Sequence, residues 1–502
     1  MSLLLLFACK PEKSEDPAES PLPEIADVVG IANWDDDDLD GVPDWDDDFV
    51  DATVDDERVA VALNGETKIA LDGAGVRVWD VDEVLLDEPG EVEVDAEAVQ
   101  IEFLDANLRA TLTVGDAEVS LRSAPLILNH HLQDTEWAGA MEYPGTRGNE
   151  AFVDGFASQL GFFESFSLSD YELDVWLEDE IELGWMAVPG KRMDVVIDSI
   201  RNVRGQGLDD LPEDHMLGVD FGIATWGDRG RATSQDSFGN LEITPPVEVD
   251  GVSWPFGRIY YGDWAGNGGP DAQLRDVLAA QQVQAPFVID VSWLCVGHVD
   301  EFMSFVPDPS APKGWRLYLA DTTLGLEFVD GLDPAYEITR FGEDHGYPTV
   351  GDLQTDEELR AYNEEVQRDG IDPAVEVLRA EIGLEDTDIV RVPALFEASS
   401  YCYGTALALI PGTTNLVVAT TEDGARHVFA ADPFFRTDPD DLASDLFVAE
   451  VEPLFPEGTQ VHWVDDWDWY HIAWGEVHCG SNTRRAPNAD WWEVATHLME
   501  DE

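Results

Sequence analysis

Ser292–Pro307 reads SWLCVGHVDEFMSFVP, an apolar run interrupted by His298 and Asp300. The two stand at i and i+2, so an extended backbone directs both side chains to one face. An imidazole and a carboxylate facing one pocket point to chemistry, although the same spacing also suits a purely structural hydrogen-bonded couple.

Two distant stretches add what the pair lacks. Trp474–Arg485 reads WGEVHCGSNTRR and sets Cys479 between His478 and Gly480, while Trp176–Gly184 reads WLEDEIELG and places Asp179 in an acidic cluster. A thiol, an imidazole and two carboxylates are the parts needed to deiminate a guanidinium group. Carboxylates hold the flat cation by its N–H edges, a thiolate attacks its central carbon, and a histidine moves the protons.

In this order the three stretches resemble the catalytic domain of the calcium-dependent peptidylarginine deiminases. The similarity continues through DSIRN (Asp198–Asn202), VDFG (Val219–Gly222), DSFGNLE (Asp236–Glu242), QQVQAP (Gln281–Pro286) and the pair Trp491 and Trp492. It covers roughly the last three-quarters of the chain, carried by long unusual strings such as GHVDEFMSFVP and GEVHCGSNTRR. The resemblance implies an α/β fold class: a pentein catalytic domain, a pseudo-fivefold α/β propeller with its active site on the axis, over residues 125–502. It also implies an all-β immunoglobulin-like sandwich with acidic calcium sites over residues 31–124; residues 1–30 read from their own composition as a signal or tether segment.

By motif, the resemblance makes Cys479 the nucleophile, His298 the general acid and later base, and Asp179 and Asp300 the clamp on the guanidinium. Trp176 is similar to the tryptophan that packs on the aliphatic part of the substrate arginine; an ordinary core aromatic is the plainer reading. Glu178, Glu182, the carbonyls of Phe238 and Leu241, and Glu242 resemble one Ca2+ site, and Glu180, Asp198, Ser199 and Asn202 a second. Asp220 resembles the residue through which the catalytic domain meets the calcium cluster of the domain before it. Hard oxygen ligands suit calcium, and clustered carboxylates repel one another until the ion arrives. Where relatives read DSPRNRG this chain reads DSIRNVRG, so the arginine that contacts substrate backbone is either displaced to Arg204 or replaced by Val203, while Arg201 remains. Ala473 stands where relatives place an arginine. These departures bear on peptide affinity and sequence preference rather than on the chemistry.

The 502 residues allow two or three domains. With 27 Lys plus Arg against 106 Asp plus Glu the net charge is −79 and the pI near 4.1, which argues against nucleic acid or an anionic membrane as a partner. Calcium and cationic, arginine-containing peptides or proteins are the natural partners. Lysine occurs only at Lys10, Lys13, Lys68, Lys191 and Lys313, and acid is spread along the whole chain. That distribution fits a salty medium, in which screening relieves self-repulsion. Salt adaptation accounts for any one acid near the site but poorly for the neutral Ser199 and Asn202.

Four cysteines are too few and too scattered for a disulfide framework, so Cys295 and Cys402, in hydrophobic runs, are expected as buried core thiols. Leu6-Phe7-Ala8-Cys9 resembles the lipobox of bacterial lipoproteins, on a short apolar run with no preceding Lys or Arg. Export is expected, secreted or lipid-anchored through Cys9; a wrongly chosen start or a truncated signal is the alternative. Lys10 to about Gly30 has the composition of a tether.

Asp36–Asp47 reads DDDLDGVPDWDD, with Asp36, Asp38, Asp40, Asp44 and Asp47 at positions 1, 3, 5, 9 and 12 of a calcium loop and Gly41 at its turn. Pro43 and the strand-like sequence after Phe49 argue against EF-hand helices. A calcium-loading loop on a β domain is therefore expected, with a solvated acidic linker as the alternative. From Arg58 to Leu128, the runs RVAVAL, TKIAL, VRVWDV, EVEV, LRATLTV and AEVSLR alternate with turns, and Gly115-Asp116 closes a hairpin. Beyond Pro125 strands and helices alternate. Thr355-Asp356-Glu357-Glu358 reads as a capping box before Leu359, Tyr362 and Val366. Asp372-Pro373 opens another helix with Val375, Leu378 and Ile382 inward, and a strand follows at Ile389–Pro393.

The expected activity is calcium-dependent hydrolysis of peptidyl-arginine to peptidyl-citrulline and ammonia through a covalent thiouronium on Cys479. A deiminase of a small free guanidine, agmatine or arginine, is the alternative enzyme, and a calcium-stabilised binding module with a dead site the non-enzymatic one.

Overall fold

A computed structural model describes residues 26–499 except 38, 46–56, 81–82, 107, 146, 202–206, 265 and 267. Cys9, Asp38, Asp47, Asn202, Val203 and Arg204 therefore lie outside the described residues. Alternating burial in Lys68–Asp72 and Arg109–Val114 reflects the period of two read from their sequence. Five strands form one sheet, in the order Val28–Gly30, Ala117–Ser123, Arg109–Val114, Lys68–Asp72 and Gly90–Glu93. Four form a second: Val59–Ala62, Ala98–Phe103, Val76–Asp80 and Glu83–Leu86. Ile69, Leu71 and Leu112 from the first meet Val76, Val99 and Phe103 from the second in one buried core. Val114 pairs with Ala117 across the Gly115-Asp116 turn. Val28–Gly30 corrects the expected boundary: placed in the tether by its surroundings, this β-branched run pairs in parallel with Leu121–Ser123.

The remainder contains, among the described residues, five units of one plan, an antiparallel pair followed by a parallel partner, with Ile127–Leu128 added as a fourth strand to the first and two separate two-stranded hairpins beside them. Their strands are Ile181–Val188, Lys191–Asp198 and Phe221–Ala224; Leu241–Ile243, Ile259–Asp263 and Phe287–Asp290; Met303–Pro307, Trp315–Asp321 and Ile389–Pro393; and Val417–Thr420, Arg426–Ala431 and Thr459–Val464. Ser481–Arg485 completes the fifth by pairing with Thr135–Glu142, itself parallel to Phe163–Ser167. Parallel neighbours need a crossover, and helices such as Glu150–Ala157, Ala272–Ala280 and Leu446–Val451 supply it. The segment just before each unit's first strand carries Asp179, Gly239, Asp300, Asn415 or Cys479.

Three local expectations change. Thr355 is not the cap: its hydroxyl donates to Gly351 O (2.7 Å), and the charged Asp356 instead accepts from Glu358 N (3.0 Å) and Leu359 N (2.9 Å), where a carboxylate also meets the helix dipole. Glu357–Val366 does not end before Asp372; a π turn, Gln367–Ile371, carries it into Asp372–Ile382. Val375, Leu378 and Ile382 are buried as expected. Cys295 and Cys402 are joined in a disulfide rather than left as thiols. Leu294 bridges Ala406 and Cys295 N donates to Ala406 O at 2.9 Å, which brings the two Cα atoms to 5.4 Å across 107 residues of sequence. Among the described residues no helix is long and apolar enough to cross a membrane.

Candidate active site

His298 and Asp300 do not lie on the strand itself, which starts at Met303; Val299–Glu301 forms a short turn. Gly297 at φ +87° and the Glu301 carboxylate, accepting from Gly297 N and His298 N at 2.8 Å each, fix that turn. His298 Nε2 donates to Ser234 O at 2.8 Å, which leaves Nδ1 toward Asp179 Oδ1 at 3.6 Å. Cys479 Sγ lies 3.5 Å from Asp300 Oδ2. Four side chains from three distant segments thus meet, as the sequence motifs require.

Gly239 measures the meeting point. A Cβ there would lie 2.9 Å from His298 Nδ1 and 3.1 Å from both Asp179 Oδ1 and Asp300 Oδ2, so three polar atoms converge on its Cα. Asp179 Oδ1 and Asp300 Oδ1 are buried without a hydrogen-bond partner. Asn415, missed in the sequence, binds the pieces together: Nδ2 donates to Asp300 Oδ2 (2.7 Å) and lies 3.3 Å from Cys479 Sγ, while Oδ1 accepts from His478 N (2.9 Å). Its place two residues before Val417–Thr420 matches that of Cys479 before Ser481–Arg485 and of Asp179 before Ile181–Val188, a repeat signal that the single motifs do not show. A cavity of about 210 Å³ reaches Cys479 and Asn415, bounded by His345, Glu397, His471 and Trp474.

Burial pushes the Cys479 thiol well above its usual range, and Asp300 and Asp179 add to the effect. Burial also raises Asp179, against the attraction of His298 and Arg201. Burial opposes a charge on His298, but Asp179, Asp300 and Glu301 outweigh it and raise its pKa. The pocket is thus rich in negative charge and holds its thiol protonated until a cation enters.

Trp176 does not line the cavity. It is half-buried, its ring packed behind Gly475 and edge-on to Tyr470. Arg201 is also not at the pocket: its guanidinium is buried, donating through Nε to Glu180 Oε2 (2.5 Å) and through a terminal nitrogen to Asp174. A buried guanidinium needs carboxylate partners, and those are the nearest.

The expected calcium ligands gather in two places. Glu178 and Glu242 are buried beside His478, with the buried Glu182 close to both acids; burial pushes Glu178 and Glu182 well above the carboxylate range and Glu242 to about 7. Glu180 and Asp198 are pushed up to about 8 and about 7, again by burial first. Glu180 Oε1, Asp198 Oδ1 and Asp209 Oδ1, the last not singled out in the sequence, are buried with no hydrogen-bond partner. Ser199 Oγ donates to Asp236 O at 2.8 Å. Unsatisfied hard oxygens of this kind fit a calcium ion.

In the N-terminal loop Asp36 accepts from Asp40 N (3.1 Å) and Gly41 N (2.8 Å), and Asp44 from Asp37 N (3.1 Å). The strand Val28–Gly30, not a helix, precedes it. Asp220 meets Asp35 and Glu57 of the preceding domain, whose carboxylate oxygens lie with its own within 4.8 Å. Asp35 was overlooked beside the regular spacing of its neighbours.

Fold and site together define an α/β protein of five repeated units whose central cysteine faces clustered carboxylates and a histidine. The sequence profile described as protein-arginine deiminase (PAD) matches residues 113–493, and the chain belongs to that family. Human protein-arginine deiminase type-4 is 36% identical over 341 residues, 64% of this chain and 48% of that protein. Human type-1 is 34% identical over 412 residues (79% and 60%) and human type-3 37% identical over 366 (69% and 53%). The chain thus spans from about half to three-fifths of the length of these curated relatives. A solved C. jejuni agmatine deiminase aligns over 72% of this chain and 97% of its own at 11% identity, with a TM-score of 0.35.

Proposed function

We propose that the protein converts arginine in peptides or proteins to citrulline in a calcium-dependent reaction. The carrying observation is the convergence of Asp179, His298 and Asp300 on Gly239 with Cys479 beside them. Asp179 and Asp300 bind the N–H edges of the guanidinium. The entering cation offsets the carboxylate field on the thiol, which gives up its proton to solvent, and Cys479 Sγ attacks the guanidinium carbon as thiolate. His298 Nδ1 gives a proton to the departing nitrogen, so ammonia leaves and an S-alkylthiouronium remains. The same nitrogen then takes a proton from water, whose oxygen replaces sulfur and yields citrulline. Asn415 positions Asp300 and the Cys479 backbone throughout.

Glu178, Glu182 and Glu242, and separately Glu180, Asp198 and Ser199, are the residues to hold calcium. When bound there the ion neutralises acids flanking Asp179 and orders that segment. The five units support the pentein propeller and the two-sheet core supports an immunoglobulin-like domain before it. The Cys295–Cys402 disulfide supports an oxidising, extracytoplasmic setting.

The test is citrulline formation from a blocked arginine peptide, free arginine and agmatine, with calcium or chelator, against Cys479→Ala. Calcium-dependent turnover of the peptide alone, lost in the variant, is expected. Calcium-independent turnover of a free guanidine would transfer the protein to the small-molecule class.

A further inference from the structure

One ring nitrogen each of His131 and His478 and a carboxylate oxygen of Glu242 lie within 4.8 Å of one another. Each histidine is anchored through its other side. His131 Nδ1 donates to Phe305 O at 3.0 Å, and His478 Nδ1 meets Asp300 Oδ2 at 3.1 Å. A neutral histidine donating from Nδ1 carries its lone pair on Nε2, and such outer partners orient metal-ligating imidazoles. His478 Nε2 faces Glu242 Oε1 at 3.6 Å and Glu178 Oε2 at 4.0 Å. Burial, reinforced by Arg485, keeps His131 neutral. The deimination chemistry gives His131 no part.

We infer that His131, His478 and Glu242 form a site for a divalent transition-metal ion such as Zn2+ or Co2+, adjoining the calcium position at Glu178 and Glu182 and sharing Glu242 with it. Two imidazoles and a carboxylate suit these ions, whereas calcium takes oxygen ligands. Competition for Glu242 and repulsion between two neighbouring divalent cations set the ions against each other, so a transition metal lowers calcium occupancy close to the nucleophile. Exclusion of calcium rests on the calcium reading above, but the metal site does not.

The full chain, stripped of metal, is titrated with Co2+ alone and followed by visible absorbance. His131→Asn, whose amide keeps a donor for Phe305 O but lacks the second ring nitrogen, serves as the variant, with circular dichroism to verify folding. We expect a saturable ligand-field band in the wild type, at least about tenfold weaker Co2+ binding in His131→Asn, and bleaching of the wild-type band by added calcium. Absence of a band in the wild type, or equal binding by the folded variant, would overturn the site. A His131-dependent band that calcium leaves untouched would overturn only the exclusion, and because neither readout involves turnover, failure of the deiminase reading is seen separately.

Discussion

At Gly239 a single methyl group would enter the space that the reacting groups share. Its backbone is not in the left-handed region, so the restriction is steric, set by contacts of 2.9–3.1 Å to His298, Asp179 and Asp300. Gly239→Ala should therefore fold normally and lose about 100-fold in kcat/KM, the scale of a small misplacement at a reacting centre; an unchanged value in a steady-state assay would remove Gly239 from the site. The thiol makes a second prediction. Because burial, Asp300 and Asp179 hold Cys479 protonated, its alkylation by iodoacetamide should be slow at neutral pH and still rising above pH 9, the ordinary thiol value. A non-reactive guanidine should move the rise to lower pH, and a plateau near neutral pH without any cation would contradict the electrostatics. Cys479, His298 and Asp179 were legible because each sits in a long unusual string. Asn415 was not, because a lone amide in a polar turn looks like any turn residue until the five units are superposed.

The disulfide belongs to the scale of elements. The helical period was readable in Asp372–Ile382, which shows its burial pattern within a dozen residues, and Ile389–Pro393 was readable as a strand from its β-branched run. The partnership of Cys295 with Cys402 depends instead on a parallel bridge between Leu294 and Ala406, a contact set by the assembled units and invisible to local pattern. The bond ties the segment preceding His298 to the turn carrying Tyr401 and Tyr403, 81% and 101% exposed, with the Tyr401 ring 5.8 Å from that of Trp474 on the cavity wall. Replacing both cysteines with serine frees a long loop in the unfolded chain and should lower stability by about 2–4 kcal/mol. The turn borders the cavity without touching the reacting atoms, so KM for a peptide should rise while kcat is kept. A fall in kcat with KM unchanged would assign the bond to the chemistry instead.

Over the whole molecule the charge of −79 has two parts that behave differently. Surface acids are screened by salt, whereas the buried Glu178, Glu180, Glu182, Asp198 and Glu242 are not. Composition disclosed the first part; the family resemblance marked the second as ligand clusters, and the fold added that these acids are buried. For a carboxylate whose folded pKa lies above its unfolded value near 4, the native state binds more protons between the two values, so stability falls as pH rises through that interval. With Asp198 and Glu242 at about 7 and Glu180 at about 8, the interval runs from roughly pH 4 to 8. His478, raised to about 10, acts in the same sense above about pH 6.5, since its stabilising charge is lost as pH climbs through the folded value. In chelator and high salt, which suppresses the surface contribution, Tm should drop steadily from pH 5 to pH 8. Calcium favours the ionised carboxylates and should flatten or reverse that slope, and Glu180→Gln should make it shallower in chelator. Equal slopes with and without calcium, measured by scanning calorimetry, would mean that the ion is not held by these buried acids.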